Sequence, residues 1–220
     1  NFSSAGTVQS SGILNIKPAT SGNFIGIGRS DAGWLLLPLT YFSQNFKNGF
    51  SQIVIGGDTP GAIYVGDSTV QTLTYSDPLM LKSPGSVVVN SNLSLTGTVG
   101  QSAHLVIWAD ADGSGSGRVI HDGAIATNGG HFYVGGGSST QTWNGLTVPS
   151  GYATGDAAGA FVWDVSGITL SANASITTAG GDVYLKGEGR GTGAVQSYSG
   201  SLQERSGVIL NGGDINAGGG

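Results

Sequence analysis

The stretch Trp108-Ala-Asp-Ala-Asp-Gly-Ser-Gly-Ser-Gly117 holds the most site-like chemistry of the chain. Asp110, Asp112 and Ser114 set oxygen atoms on alternate residues of a glycine-rich turn, which is how a loop wraps a hard cation such as Ca²⁺. An EF-hand loop also needs a bidentate glutamate at its twelfth position, and counting from Asp110 that place is held by His121. A glycine-rich calcium repeat would recur, and this segment does not. The competing reading is an exposed corner whose Asp side chains bond to their own backbone. Calcium is the one cofactor the sequence raises, and no motif requires any.

Catalysis asks for more. Enzymes that cleave polysaccharides set two carboxylates across the scissile bond. Asp156, Asp164, Asp182, Glu188 and Asp214 are spread over separate segments, and Glu188-Gly-Arg190 is the best local spot. A solvated loop is the preferred reading of that triplet, because exposed charge so often does nothing. His104, His121 and His131 lack the paired spacing of a zinc helix and read as surface or corner residues. No Gly-x-Ser-x-Gly elbow stands between a strand and a helix. Trp34, Trp108, Trp143 and Trp163 could form a sugar-stacking platform. Trp143 lies in an irregular stretch, so it is the candidate glycan contact, whereas Trp34 reads as core.

The elements that must position these groups are short strands. In Gly167–Gly187 the apolar residues alternate: Ile168 and Leu170, then Ile176, then Val183 and Leu185. Period-two alternation marks a half-buried strand. Each strand stops at Gly or Asn, where the chain turns. Arg118–Gly135 has the same frame, Gly207–Gly220 begins another copy, and Val87–Trp108 is a looser one. A unit this short cannot bury its apolar edge alone, but stacked copies can. The expected fold is all-β, a parallel β-helix or β-solenoid. One short helix is expected near residues 40–48, with Thr40 as its cap and Gly49 as its end. Its aromatics Tyr41, Phe42 and Phe46 are expected to pack over one edge or end of the stack. Residues 1–23 read as an arm or incoming strand, and 24–220 as one domain. Irregular insertions at about 136–160 and 188–206 are expected to bulge out as loops, with Phe161–Val165 returning to the stack between them.

Composition agrees with that frame. The 220 residues include 41 Gly without a period of three, and only 10% are charged. Solenoid corners consume glycine, and Ser, Thr and Asn can cover the outside. The net charge of −5, with eight scattered Lys and Arg, disfavours nucleic acid. Without cysteine there are no disulfides or thiolate metal sites. No apolar run approaches the ~20 residues of a membrane span. Asn1 at the start and glycine at the end lead to the expectation of a processed piece or a segment of something longer.

One block resembles a known family. Gly49-Phe-Ser-Gln-Ile-Val-Ile-Gly-Gly-Asp58, Gly61-Ala-Ile-Tyr-Val-Gly66, Ser76-Asp-Pro-Leu-Met-Leu-Lys-Ser-Pro-Gly85 and Val87-Val-Val-Asn90 resemble a recurrent block of large bacterial surface proteins related to filamentous haemagglutinins. In that block a short helix ends in Gly-Phe and is followed by Ile-x-Ile-Gly and then Asp-Pro-Leu-x-Leu. Trp108–Gly117 with Ile125–Gly130 is similar to its continuation, so the resemblance covers roughly residues 24–220. It implies a right-handed parallel β-helix, export to the cell exterior and a structural or adhesive role. The N-terminal secretion domain of such proteins is not matched, and the insertions are unfamiliar. The reading that follows is a non-enzymatic solenoid module of an extracellular, bacterial surface protein or fibre. Its partners would be further rungs or other copies joined end to end, with cell-surface or matrix glycans as additional ligands. The alternative is a glycan-binding or polysaccharide-cleaving β-helix domain.

Overall fold

The computed structural model describes residues 6–59, 61–67, 71–98, 102–156, 165–190, 195–196, 202–203 and 206–218. The chain is almost entirely β, and its strands form parallel sheets. The first sheet joins Ile13–Ile16, Gln52–Gly56, Leu79–Lys82, Leu105–Ala109, Phe132–Trp143 and Val183–Leu185. The second runs from Leu35–Leu37 through Ile25–Ile27, Ile63–Val65, Val87–Val89, Val119–His121 and Ile168–Leu170 to Val208–Leu210. The third holds Thr72–Tyr75, Asn92–Leu95, Ala124–Ala126, Ser175–Thr177 and Asp214–Asn216. From Gln52 onward the chain visits first, second and third sheet in that order and then begins again. Among the described residues, no helix is long and apolar enough to cross a membrane.

Register between successive rounds keeps like beside like. In the third sheet Leu73, Leu93, Ile125, Ile176 and Ile215 pair in one file. In the first sheet Leu14, Ile53, Leu79, Leu105, Phe132 and Val183 do the same. In the second sheet Ile25, Ile63, Val87, Val119, Ile168 and Val208 form another file. Except for Ile215 at the end of its file, these side chains lie in one buried cluster or, as Leu14, Val183 and Val208 do, pack against it half-buried. A strand's period of two aims them inward and turns Ser, Thr and Asn outward, so each round satisfies its backbone on its neighbours and its side chains on the shared core.

The corners explain the glycine. Ala126 to His131 and Thr177 to Asp182 make the same turn twice. Asn128 and Gly129 have φ of 48° and 96°, and Ala179 and Gly180 have 53° and 105°. At the next position a Cβ on Gly130 or Gly181 would run into the backbone of the preceding round. Thr127 and Thr178 each close their turn by donating Oγ1–H to the carbonyl three residues on.

The helix differs from expectation in kind and length. It is a π-helical turn, Tyr41–Asn45, that stops at Phe46 rather than Gly49, and Thr40 provides no side-chain cap. Phe42 and Phe46 are buried and lie edge-on to each other, with Phe42 also edge-on to Tyr75 at the outer margin of the third sheet. The segment thus covers the N-terminal edge of that sheet. Asp77 pins it there. Its carboxylate is fully buried and accepts the N–H groups of Gly49 at 3.0 Å and Phe50 at 2.9 Å. Tyr75 Oη, 3.3 Å away, donates to the same oxygen that takes the Phe50 amide, and burial beside this carboxylate raises the phenol pKa. Gly-Phe and Asp-Pro-Leu, far apart in sequence, are two halves of one anion-capped joint.

The stretch after Gly135 is not an irregular loop. Phe132–Trp143 continues out of the first sheet, turns, and pairs antiparallel with Leu146–Gly151. The turn is Asn144-Gly145, both with positive φ, the geometry of a two-residue hairpin matched to strand twist. The hairpin closes a second apolar cluster of Met80, Val106, Trp108, Ala111, Tyr133 and Val148. Leu105–Ala109 is therefore buried on both faces, which is why Leu-Val-Ile-Trp-Ala shows no alternation. Residues 161–164, with Trp163 and Asp164, lie outside the described residues, as does most of 188–206.

Two substitutions test these joints. Asp77→Ala leaves buried amides without an acceptor and should lower unfolding stability by about 3 kcal/mol in urea titrations. Ala179→Asn, copying Asn128 at the equivalent left-handed position, should raise it by about 0.5–1 kcal/mol.

Candidate functional site

The Asp110 turn is built by its own carboxylate. Asp110 is buried and has φ of 50°. Its Oδ1 accepts Gly115 N–H at 2.9 Å, Ser116 N–H at 3.3 Å and Ser114 Oγ–H at 3.2 Å. Its Oδ2 lies 3.4 Å from Thr154 Oγ1, a donor from the round that follows. Asp112 accepts Ser114 N–H at 3.1 Å. The structure therefore brings Asp110, Asp112 and Ser114 together, but with Asp110 turned inward onto loop donors. A Ca²⁺ at Asp110 Oδ1 would have to displace two backbone amides. Among the described residues no three His, Cys, Asp or Glu side chains gather around a common point. Arg190 lies over this loop, because a Cβ on Gly115 would collide with its guanidinium. Glu188 beside it is exposed, as are Asp156 and Asp214.

Trp143 is half-buried rather than an exposed loop residue. Its ring packs on Tyr133 with centroids 5.2 Å apart and lies 5.4 Å from His131 and 5.9 Å from Tyr184. Tyr133 and Tyr184 stack in adjacent rounds at 5.0 Å. Trp108 is buried under the hairpin, donates Nε1–H to the Gly137 carbonyl at 2.8 Å, and carries the Lys82 ammonium 4.0 Å above its ring. Trp34 is half-buried on the outer face, not in the core; Arg29 lies over it and over Tyr64, at 5.3 and 5.5 Å.

His104 and His131 are corner residues that directly precede strands, as expected, whereas His121 departs from the surface or corner reading. His104 and His131 stack in adjacent rounds with centroids 4.9 Å apart. His104 Nδ1 accepts the His131 N–H and His131 Nδ1 accepts the Asp182 N–H, each at 2.9 Å. Both rings are thereby held as the Nε2–H tautomer, which leaves no lone pair on Nε2 for a metal. Burial, and then the neighbouring His131, lower the His104 pKa. His121 sits in the inner file of the second sheet between Val89 and Leu170 and is 1% exposed. Burial outweighs its contact with the Ser175 carbonyl and pushes its pKa from 6.5 to about 4.

One concavity among the described residues draws on groups that no single motif brought together. It holds about 630 Å³ and is lined by Asp67, Asn90, Asn92, Asp122, Gly123, Ala124 and Asn173, at the corners between the second and third sheets. Asn90-Ser91 and Asp122-Gly123 are two-residue turns and form the floor. Asp67 and Asn173 line it from the corresponding corners of the neighbouring rounds. Asn92 Oδ1 accepts Ala124 N–H at 2.8 Å, and Asn173 Nδ2 approaches Asp122 Oδ1 at 3.4 Å.

Comparison with known protein families, curated proteins and solved structures finds no match for this chain.

Two measurements follow. Asp110→Ala orphans the Gly115 and Ser116 amides and should cost about 1–3 kcal/mol of stability, whether or not calcium is added. For His121 the folded pKa lies below the unfolded one, so the unfolded chain binds the proton first. Its contribution is complete above pH 6.5 and is lost as pH falls toward 4. The loss should reach the order of 3 kcal/mol, and His121→Leu should flatten that part of the stability–pH curve.

Proposed function

We propose that this chain is a non-enzymatic structural module: a parallel β-solenoid serving as a scaffold or adhesive element of an extracellular surface protein or fibre. The coil is right-handed, as parallel crossovers almost always are. The observation that carries the reading is the contrast between the two margins of the stack. At the N-terminal margin the π-helical turn and its phenylalanines cover the third sheet. At the other margin all three sheets finish in outer strands, Val183–Leu185, Val208–Leu210 and Asp214–Asn216. There the inner files emerge: Leu170 and Ile176 are 1% exposed, yet Leu210 and Ile215, their partners in the next round, are 54% and 40% exposed.

Strand edges that no other described strand pairs with, beside exposed core side chains, form a template for more parallel strands. A further round, from the same polypeptide or from another copy, satisfies backbone and side chains at once. Stability in such an array is a sum over neighbours, which suits a long load-bearing element. The haemagglutinin-like block and the absence of cysteine are consistent with export.

The test is self-association of the isolated protein, followed by light scattering and electron microscopy. End-to-end particles that grow with concentration are expected. A Leu210→Lys, Ile215→Lys double variant should abolish them while keeping its β circular-dichroism signal. Wild-type protein that stays as single particles at every concentration would sink the association.

A further inference from the structure

We infer that the groove between the second and third sheets is a binding site for neutral or amino-bearing oligosaccharides. The inference is independent of the open margin, since the groove lies on the flank of the stack. Every polar side chain that lines it is a carboxylate or a carboxamide: Asp67, Asn90, Asn92, Asp122 and Asn173. Sugar hydroxyls are donors and acceptors at once. Carboxylates accept from two hydroxyls, and carboxamides both give and take. Asn90, Asn92 and Asp122 stand on or beside two-residue corners of paired strands, so little ordering of these groups is required when a ligand arrives.

Other ligand classes fit less well. Phosphates and acidic glycans need Lys or Arg, and none lines the groove. An apolar ligand needs large apolar walls, and the non-polar lining here is Gly123 and Ala124. A single cation needs its ligands around one point. Asp67 and Asp122 instead belong to rounds two steps apart, about 10 Å along the stack. That separation suits a chain of sugar units laid across successive rounds, with a carboxylate toward each end. The small floor residues keep it open. Gly123 is fixed in any case, because a Cβ there would meet the Ser91 carbonyl.

Asn92 and Asn173 also hold the corners together. Asn90 makes no side-chain hydrogen bond among the described residues, and Asp122 can lose its charge without losing its shape. The informative variant is therefore Asn90→Ala with Asp122→Asn. Wild type and variant are titrated by calorimetry with β-1,4-linked tetrasaccharides of glucose, N-acetylglucosamine and glucosamine, with oligogalacturonate as the acidic control. At least one of the first three should bind the wild type, and the variant should bind it about tenfold more weakly at an unchanged melting temperature. The inference is overturned if none of the three binds at about 10 mM, if only oligogalacturonate binds, or if the variant binds as the wild type does.

Discussion

The structure depends on one constraint: each round lies on the previous one without a slip in register. A shift of one residue would turn every inward side chain outward, because the strand period is two. The files from Leu73 to Ile215 and from Leu14 to Val183 exist only in this register. The Gly-Gly corners hold it. Gly130 and Gly181 let backbones approach where a side chain could not fit, and Thr127 and Thr178 tie each turn shut. Because the register is shared, a polar residue in a file is felt by its neighbours. His121 stands between Val89 and Leu170, and its low pKa is the consequence.

Two features outside the repeat cover apolar surface. The segment before Asp77 closes the N-terminal margin of the third sheet, with a buried carboxylate collecting the amides at its end. The hairpin from Phe132 to Gly151 closes the outer face of the first sheet over Met80, Val106 and Tyr133. Tyr133 joins hairpin to sheet by donating its hydroxyl to the Pro149 carbonyl at 2.7 Å, and burial raises its pKa. Among the described residues, nothing comparable covers the corners between second and third sheets at Asn90 and Asp122, which present polar groups to the groove.

Much of this was legible in the residues, and where legibility stopped is instructive. Alternation located the strands, and the glycine corners located the turns. Asn144-Gly145, between Thr142-Trp143 and Leu146-Thr147, is a strong hairpin signal, but the Gly- and Ser-rich run before it looked irregular. Leu105-Val-Ile-Trp-Ala announced a strand covered on both faces without saying what covered it. His121 occupies a file position by spacing, yet its residue type argued for the surface. The groove could not be read from any one segment, since its residues come from separate corners.

What the sequence determined alone is the set of local preferences: short strands, glycine turns, and inward Ile, Val and Leu. Periodicity and turn chemistry act over a few residues, so they are written in order along the chain. Only the tertiary structure decided that Asp77 meets Gly49 and Phe50, that Asp110 meets Thr154, and that Asp67, Asn92, Asp122 and Asn173 share one groove. Those contacts join residues far apart in sequence. They arise from the axial stacking of rounds, which acts only once the coils lie against one another.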